Sequence, residues 1–98
     1  MKVVAVGGNT FVTSFVLSGV SGEYVSSPDE ALGKIEKLIR DPQVGLIIIS
    51  DEVAEPLGAQ LTAIRTQRAT PLIYEVPEPG SKKEKVDYHA LLRSIMGV

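Results

Sequence analysis

The feature that most constrains the fold of this chain is an uninterrupted apolar run, Val-Gly-Leu-Ile-Ile-Ile, at positions 44–49. A continuous apolar run of this length is typical of a strand that is buried on both faces in a parallel sheet. Such a strand needs other strands on both sides and helices above and below it. The run therefore predicts an α/β domain in which residues 44–49 form a central strand.

Three further strands are predicted on the two sides of this run. Val3–Val6 is a second apolar segment, ends at Gly7, and is also expected to be covered on both faces. Glu23–Ser26 is predicted to be a brief strand, and Leu72–Val76 is predicted to be the fourth. A helix is predicted after each strand, because apolar residues recur there at helical spacing.

Capping residues predict where several of these helices begin. Asn9 or Thr10 is expected to cap the first helix, and the segment Ser27-Pro28-Asp29-Glu30 has the pattern of a capping box with proline at the first helical position. Ser50 is expected to cap the third helical stretch, which Pro56 and Gly58 interrupt.

Four strand–helix units predict a three-layer α/β/α sandwich with a four-stranded parallel sheet, of the Rossmann-like or receiver-like type. We expect the strand order 2-1-3-4, because the first and third strands are the most apolar, the second is short, and the fourth carries Glu75. The chain is predicted to be one domain, with an α/β core over residues 1–76, a flexible loop over 77–86 and a C-terminal helix over 87–98.

Composition argues against several kinds of site. The 98 residues include no cysteine and one histidine, His89, so neither disulfides nor zinc sites built on these residues are expected. The formal net charge of −2 argues against a nucleic-acid partner. No apolar stretch approaches the ~20 residues that span a bilayer, so an intracellular protein without direct membrane insertion is expected.

Ligands of such sheets bind at the carboxyl ends of the strands, where the strand order reverses. The residues offered at that point are Gly7, Gly8, Asn9, Ser50, Asp51 and Glu52. Gly7-Gly8-Asn9-Thr10 lies there and offers helix-start amides to a phosphate, but the glycine patterns of nucleotide-binding loops are missing, and a tight turn is the alternative. Asp51 follows the third strand, as the phosphoryl-accepting aspartate of a receiver domain would. The alternative is an acid in the first turn of a helix.

Four segments in a fixed order give the chain a resemblance to the F subunit of V-type and archaeal A-type rotary ATPases. They are an opening like VVAVGG-x-x-x-V-x-x-F-x-L-x-G at Val3–Gly19, VGLIIISDEVAE at Val44–Glu55, TPLIYEVPEPGS at Thr70–Ser81, and the terminal LLRSIMGV. The resemblance covers essentially the whole chain. The sequence departs from the family pattern at Gly8, where an acidic residue is usual, and at Val16, where an arginine is frequent.

The resemblance implies a non-catalytic subunit of the central stalk that uses no catalytic residue, cofactor or metal of its own. It implies binding to the D subunit, which forms the coiled-coil shaft, and a C-terminal helix that reaches toward the catalytic ring. It further implies a role in coupling ATP hydrolysis or synthesis to proton or sodium transport, and a cytoplasmic location peripheral to the membrane.

The terminal segment supplies the candidate partner-contact residues. They are the lysines of the predicted loop and the apolar stripe of the predicted helix: Lys82, Lys83, Lys85, Tyr88, Leu91, Leu92, Ile95 and Met96. The alternatives are a solvated turn for the lysines and a core-facing surface for the stripe. A second hypothesis for the whole chain is a receiver-like signalling module that is phosphorylated at Asp51.

Overall fold

A parallel sheet with helices on both faces forms the part of the chain that the computed structural model describes, residues 1–78. The strands are β1 (Lys2–Gly7), β2 (Ser21–Tyr24), β3 (Val44–Ser50) and β4 (Leu72–Val76). The helices are α1 (Asn9–Val16), α2 (Pro28–Leu38), α3 (Asp51–Ala54) and α4 (Gly58–Gln67), and a 3₁₀ turn over Glu55–Leu57 joins the last two. The predicted break at Pro56 and Gly58 is therefore confirmed as this turn.

The four strands are hydrogen-bonded in the order β2-β1-β3-β4, and all three neighbouring pairs are parallel. This confirms the predicted fold class and strand order. Ile47 of β3 lies beside Val4 of β1 on one side and Ile73 of β4 on the other. Because both of its edges are hydrogen-bonded, β3 is an inner strand, as its apolar run predicted.

Two apolar clusters lie on opposite faces of this sheet, because successive side chains of a strand point to opposite sides. Leu46 and Ile48 of β3 pack with the aromatic rings of α1, Phe11 and Phe15, whose centroids are 5.0 Å apart. The other cluster joins the sheet to α2, the 3₁₀ turn and α4, and it includes Val4, Val6, Ile35, Ile47, Ile49, Leu57 and Leu61. The three layers are thus α1, the sheet, and α2 with α4.

The predicted helix starts are confirmed at Ser27, confirmed in position alone at Ser50, and wrong at Asn9. The Ser27 hydroxyl accepts a hydrogen bond from the Glu30 amide at 3.2 Å, so this cap is confirmed. Asn9 is instead the first residue of α1, because Gly8 takes the cap position in an extended conformation without a side-chain cap. Ser50 stands at the cap position of α3, but its hydroxyl does not bond to that helix.

Strand β2 begins and ends two residues earlier than Glu23–Ser26, the range predicted from the sequence. It packs closely against α1 at Gly22, where an added Cβ would overlap Val12 Cγ1 and lie 2.7 Å from Val16 Cγ2. The close contact with α1 therefore leaves no room for a side chain at position 22. The predicted loop over 77–86 and helix over 87–98 lie outside the described residues, apart from Pro77 and Glu78.

Alanine substitutions at two glycines are expected to change stability in opposite directions. Gly22→Ala inserts a methyl group between stiff valine side chains and should destabilise the protein by about 1–3 kcal/mol. Gly33→Ala is the matched control, because a Cβ there meets nothing within 4 Å in the middle of α2. It should stabilise the protein by about 0.5–1 kcal/mol. Urea unfolding of both variants measures the difference, and equal midpoints would contradict the close β2–α1 packing.

Candidate functional site

The carboxyl ends of β1 and β3 meet side by side, at the place where doubly wound folds bind their ligands. β1 ends at Gly7 and β3 ends at Ser50, and a Cβ added to Gly7 would lie 3.1 Å from Ser50 Cβ. The backbone turns from these two ends into α1 and α3. The structure therefore brings together the residues predicted at this crevice, namely Gly7, Gly8, Asn9, Ser50, Asp51 and Glu52.

A residue that the sequence did not single out, Glu78, occupies this crevice. Its Oε1 accepts a hydrogen bond of 2.5 Å from the hydroxyl of Ser50, which is fully buried. Its backbone amide donates a hydrogen bond of 3.2 Å to Oδ1 of Asp51. We call these three residues the Glu78 clasp, because both the side chain and the backbone of Glu78 are held.

The Glu78 carboxylate also borders the glycine turn after β1. A Cβ added to Gly8 would lie 3.9 Å from Glu78 Oε1. A carboxylate in this position repels a phosphate group, which the free amides of α1 would otherwise attract. The geometry therefore favours the tight-turn interpretation of Gly7-Gly8-Asn9-Thr10 over the phosphate-binding one.

Asp51 is in the first turn of α3 and is partly exposed. An acid in this position interacts favourably with the helix dipole, which agrees with the first-turn interpretation. A receiver-type phosphoryl transfer needs a metal ion held by several carboxylates. Within residues 1–78, no three or more His, Cys, Asp or Glu residues are grouped so that they could hold a metal ion.

The predicted partner-contact residues, from Lys82 to Met96, lie outside the described residues, as does His89. They stay predictions.

Over residues 1–78, no helix combines the length and the apolar character that crossing a membrane requires. The role of Glu78 had no local signal in the sequence, because its partners are 27 and 28 residues earlier in the chain.

Comparison with known proteins gives one consistent family. The family model for the ATP synthase (F/14-kDa) subunit matches residues 3–92. The A-type ATP synthase F subunit of Methanothermobacter thermautotrophicus is 32% identical over an alignment that covers 99% of this chain and 93% of the relative. The A-type ATP synthase F subunit of Methanocaldococcus jannaschii is 31% identical, with 100% of this chain and 97% of the relative covered.

Fold and site together define a doubly wound α/β domain in which a residue of its own chain occupies the ligand crevice. The matches extend over nearly the full length of both this chain and its relatives, so they include the terminal segment as well as the sheet. The chain belongs to the family of the ATP synthase (F/14-kDa) subunit. This confirms the resemblance to the rotary ATPases.

The Glu78 clasp predicts an energetic coupling between two residues that are far apart in sequence. Ser50→Ala and Glu78→Ala should each destabilise the protein by about 1 kcal/mol, since each removes a hydrogen bond to a partly buried carboxylate. The double variant should cost clearly less than the sum of the two, as expected for residues in contact. Urea unfolding of the four proteins gives the coupling energy. Glu36→Ala, an exposed mid-helix acid, is the control, and additive effects of Ser50→Ala and Glu78→Ala would show that the Ser50–Glu78 hydrogen bond contributes nothing.

Proposed function

We propose that this chain is a non-catalytic subunit of the central stalk of an A-type rotary ATPase, where it binds the D subunit that forms the coiled-coil shaft. The observation that carries the proposal is the family match over residues 3–92. Relatives that align over nearly their whole length are named as the F subunit of A-type ATP synthases. Within the complex, the chain contributes to the coupling of ATP hydrolysis or synthesis to proton or sodium transport, peripheral to the membrane on its cytoplasmic side.

The Glu78 clasp supports a binding role over a catalytic one. In enzymes with this architecture, the crevice between the two central strands receives the substrate or cofactor. Here Glu78 Oε1 and the Ser50 hydroxyl satisfy each other in that crevice, and Asp51 Oδ1 accepts the Glu78 amide. A ligand would first have to break both hydrogen bonds. This occupied crevice supports a role in which the outer surface of the domain binds other proteins.

The terminal segment is the proposed contact with the shaft and, at its far end, with the catalytic ring. Tyr88, Leu91, Leu92, Ile95 and Met96 recur at the spacing of one helix face, which is how an amphipathic helix enters the groove between two other helices. Three lysines precede this stripe, Lys82, Lys83 and Lys85, and they would interact with acidic side chains at the rim of such a groove.

Co-expression with the helical-hairpin shaft protein of an A-type ATPase is expected to give a stable one-to-one complex on gel filtration. Leu91→Asp combined with Ile95→Asp should weaken the complex at least 10-fold, because both changes put a charge into an apolar contact. Arg93→Asp is the matched control on the other face of the predicted helix and should have a much smaller effect. Separate elution of the two unmodified proteins at micromolar concentration would contradict the proposal.

The lysines are expected to act mainly on the rate of association. Changing Lys82, Lys83 and Lys85 together to glutamine should lower the association rate constant several-fold at low salt, and the effect should fade as salt is raised. Lys34→Gln with Lys37→Gln, both on α2, is the control. Surface plasmon resonance at a low and a high salt concentration measures the association rate constants of the original protein and of both variants. An equal fall in the association rate constant at both salt concentrations would count against an electrostatic role of the three lysines.

The receiver-like alternative is testable at Asp51. Its Oδ1 already accepts the Glu78 amide. We therefore expect beryllofluoride with magnesium to leave the amide resonances of residues 50–52 unchanged. A perturbation centred on Asp51 would favour the signalling hypothesis instead.

A further inference from the structure

The helices α2 and α4 cover the same face of the sheet and leave a groove of about 350 Å³ between them. One row of residues on each helix lines this groove, namely Leu32, Glu36 and Ile39 of α2 and Gln60, Ala63, Ile64 and Gln67 of α4. Leu32, Ile39 and Ile64 are partly buried against the core and form an apolar floor, whereas the other four lining residues are exposed. We call this surface the α2–α4 groove. An apolar floor with a mainly polar rim is the kind of surface that receives an amphipathic helix.

The length of the α2–α4 groove also suits a helix. Each lining row spans seven residues, from 32 to 39 and from 60 to 67, which is about 10.5 Å or two helical turns. Apolar anchors at positions i, i+4 and i+7 of an incoming helix cover the same distance. Both bordering helices run from the carboxyl end of the sheet to its amino end, because each leads from one parallel strand to the next. The groove therefore lies between two helices that point the same way.

The end of the α2–α4 groove at the amino side of the sheet is basic. Lys37 and Arg40 lie where α2 ends, Arg68 lies where α4 ends, and all three are exposed. Arg68 also joins the two helix ends, since its guanidinium donates a hydrogen bond of 3.1 Å to Ile39 O. No carboxylate of residues 1–78 forms an ion pair with any of these three cations. The acids in the first turns of the helical segments lie at the opposite end of the sheet: Asp29, Glu30, Asp51, Glu52 and Glu55.

We propose that the α2–α4 groove binds an amphipathic helix of a partner protein, with acidic residues in the first turn of that helix beside Arg40 and Arg68. Three apolar side chains of the partner helix lie on the floor of the groove. Glu36 lies midway along the groove and repels a further acid there, so the acidic residues are confined to the basic end. This surface is separate from the proposed shaft contact of the terminal segment, and the inference does not rest on that contact.

The charges also fix the direction of the bound helix. Its acidic first turn lies at the C-terminal ends of α2 and α4, so it runs antiparallel to both. Acidic residues stabilise the first turn of a helix, so the charges that suit the groove also stabilise the partner helix itself. The antiparallel direction brings the positive end of its dipole beside the negative ends of the α2 and α4 dipoles.

The chain's own terminal segment is a less suitable occupant. Ser50 alternates with Leu46 and Ile48 along β3, so its side chain points to the α1 side of the sheet, and its hydroxyl holds Glu78 on that side. The segment after Glu78 therefore starts on the face opposite to the groove. Three lysines over residues 82–85 precede the predicted terminal helix, and the basic end of the groove repels them in either copy of the chain. The described helices of a second copy already bury their own apolar rows.

A synthetic helical peptide tests the chemistry of the groove. The acidic probe is an acetylated peptide with glutamates in its first turn and leucines at positions i, i+4 and i+7. Adding it to the full chain should shift the amide resonances of residues 32–40 and 60–68 and leave those of α1 unchanged. A probe with lysines in place of the glutamates is the control and should bind at least 10-fold more weakly. The absence of a saturable shift at millimolar peptide, or equal affinity for both probes, would overturn the proposal.

Substitutions in the groove provide a second measurement. Ala63→Glu adds a charged side chain to the exposed wall of the groove and should weaken binding of the acidic probe at least 10-fold. Thr62→Glu is the matched control, because Thr62 is exposed on α4 but does not line the groove. Arg40→Glu combined with Arg68→Glu should reverse the preference, so that the lysine probe binds more tightly than the acidic one. Equal effects of the two α4 substitutions, or an unchanged preference in the double variant, would contradict the proposal.

The free protein distinguishes the other occupants. Without a probe, Ala63→Glu should change neither the sedimentation coefficient of the chain nor the hydrogen-exchange rates of residues 79–98. Dissociation of a dimer on this substitution would overturn the proposal in favour of a second copy. Faster exchange of residues 79–98 would overturn it in favour of the chain's own terminal segment.

Discussion

Burial of β3 on both of its faces is the constraint on which the rest of this structure depends. Leu46 and Ile48 pack toward α1, while Ile47 and Ile49 pack toward α2 and α4. A strand of this kind requires hydrogen-bonded neighbours at both edges and helices above and below, because any open side would expose apolar surface or unpaired backbone groups. The order β2-β1-β3-β4 and the two apolar clusters satisfy that requirement together.

The same arrangement creates a crevice where β1 and β3 end, and Glu78 of the same chain occupies that crevice. A fully buried Ser50 hydroxyl without a partner would cost free energy, and the Glu78 carboxylate satisfies it at 2.5 Å. In a ligand-binding protein of this architecture, a substrate or cofactor would supply such partners. The fold is therefore shared with enzymes, whereas in this chain the carboxylate of Glu78 occupies the crevice.

Local patterns in the sequence were sufficient to predict that four strands exist, their order and the cap at Ser27, because the apolar character of a strand indicates whether it is an inner strand and capping depends on neighbouring residues. The expectations that failed depend on distant contacts. Ser50 was expected to cap α3, but its hydroxyl bonds to Glu78, 28 residues away. β2 begins two residues earlier than its apolar residues suggested, and it includes Gly22, whose close contact with α1 has no local signal in the strand. Asn9 was expected to be a cap, but Gly8 already provides the extended conformation that the start of α1 needs.

The terminal stripe shows where inference from sequence alone stops. An apolar row at helical spacing predicts a helix with one buried face, but the same row suits the protein's own sheet or a partner's groove equally well. Within residues 1–78, the two faces of β4 are covered unequally. Ile73 and Glu75 are already engaged by the rest of residues 1–78, whereas Leu72 and Tyr74 point away from that side and stay exposed. Both the exposed row of β4 and a partner protein can receive such a stripe, so its partner, like that of Ser50, is decided by contacts that the local pattern does not contain.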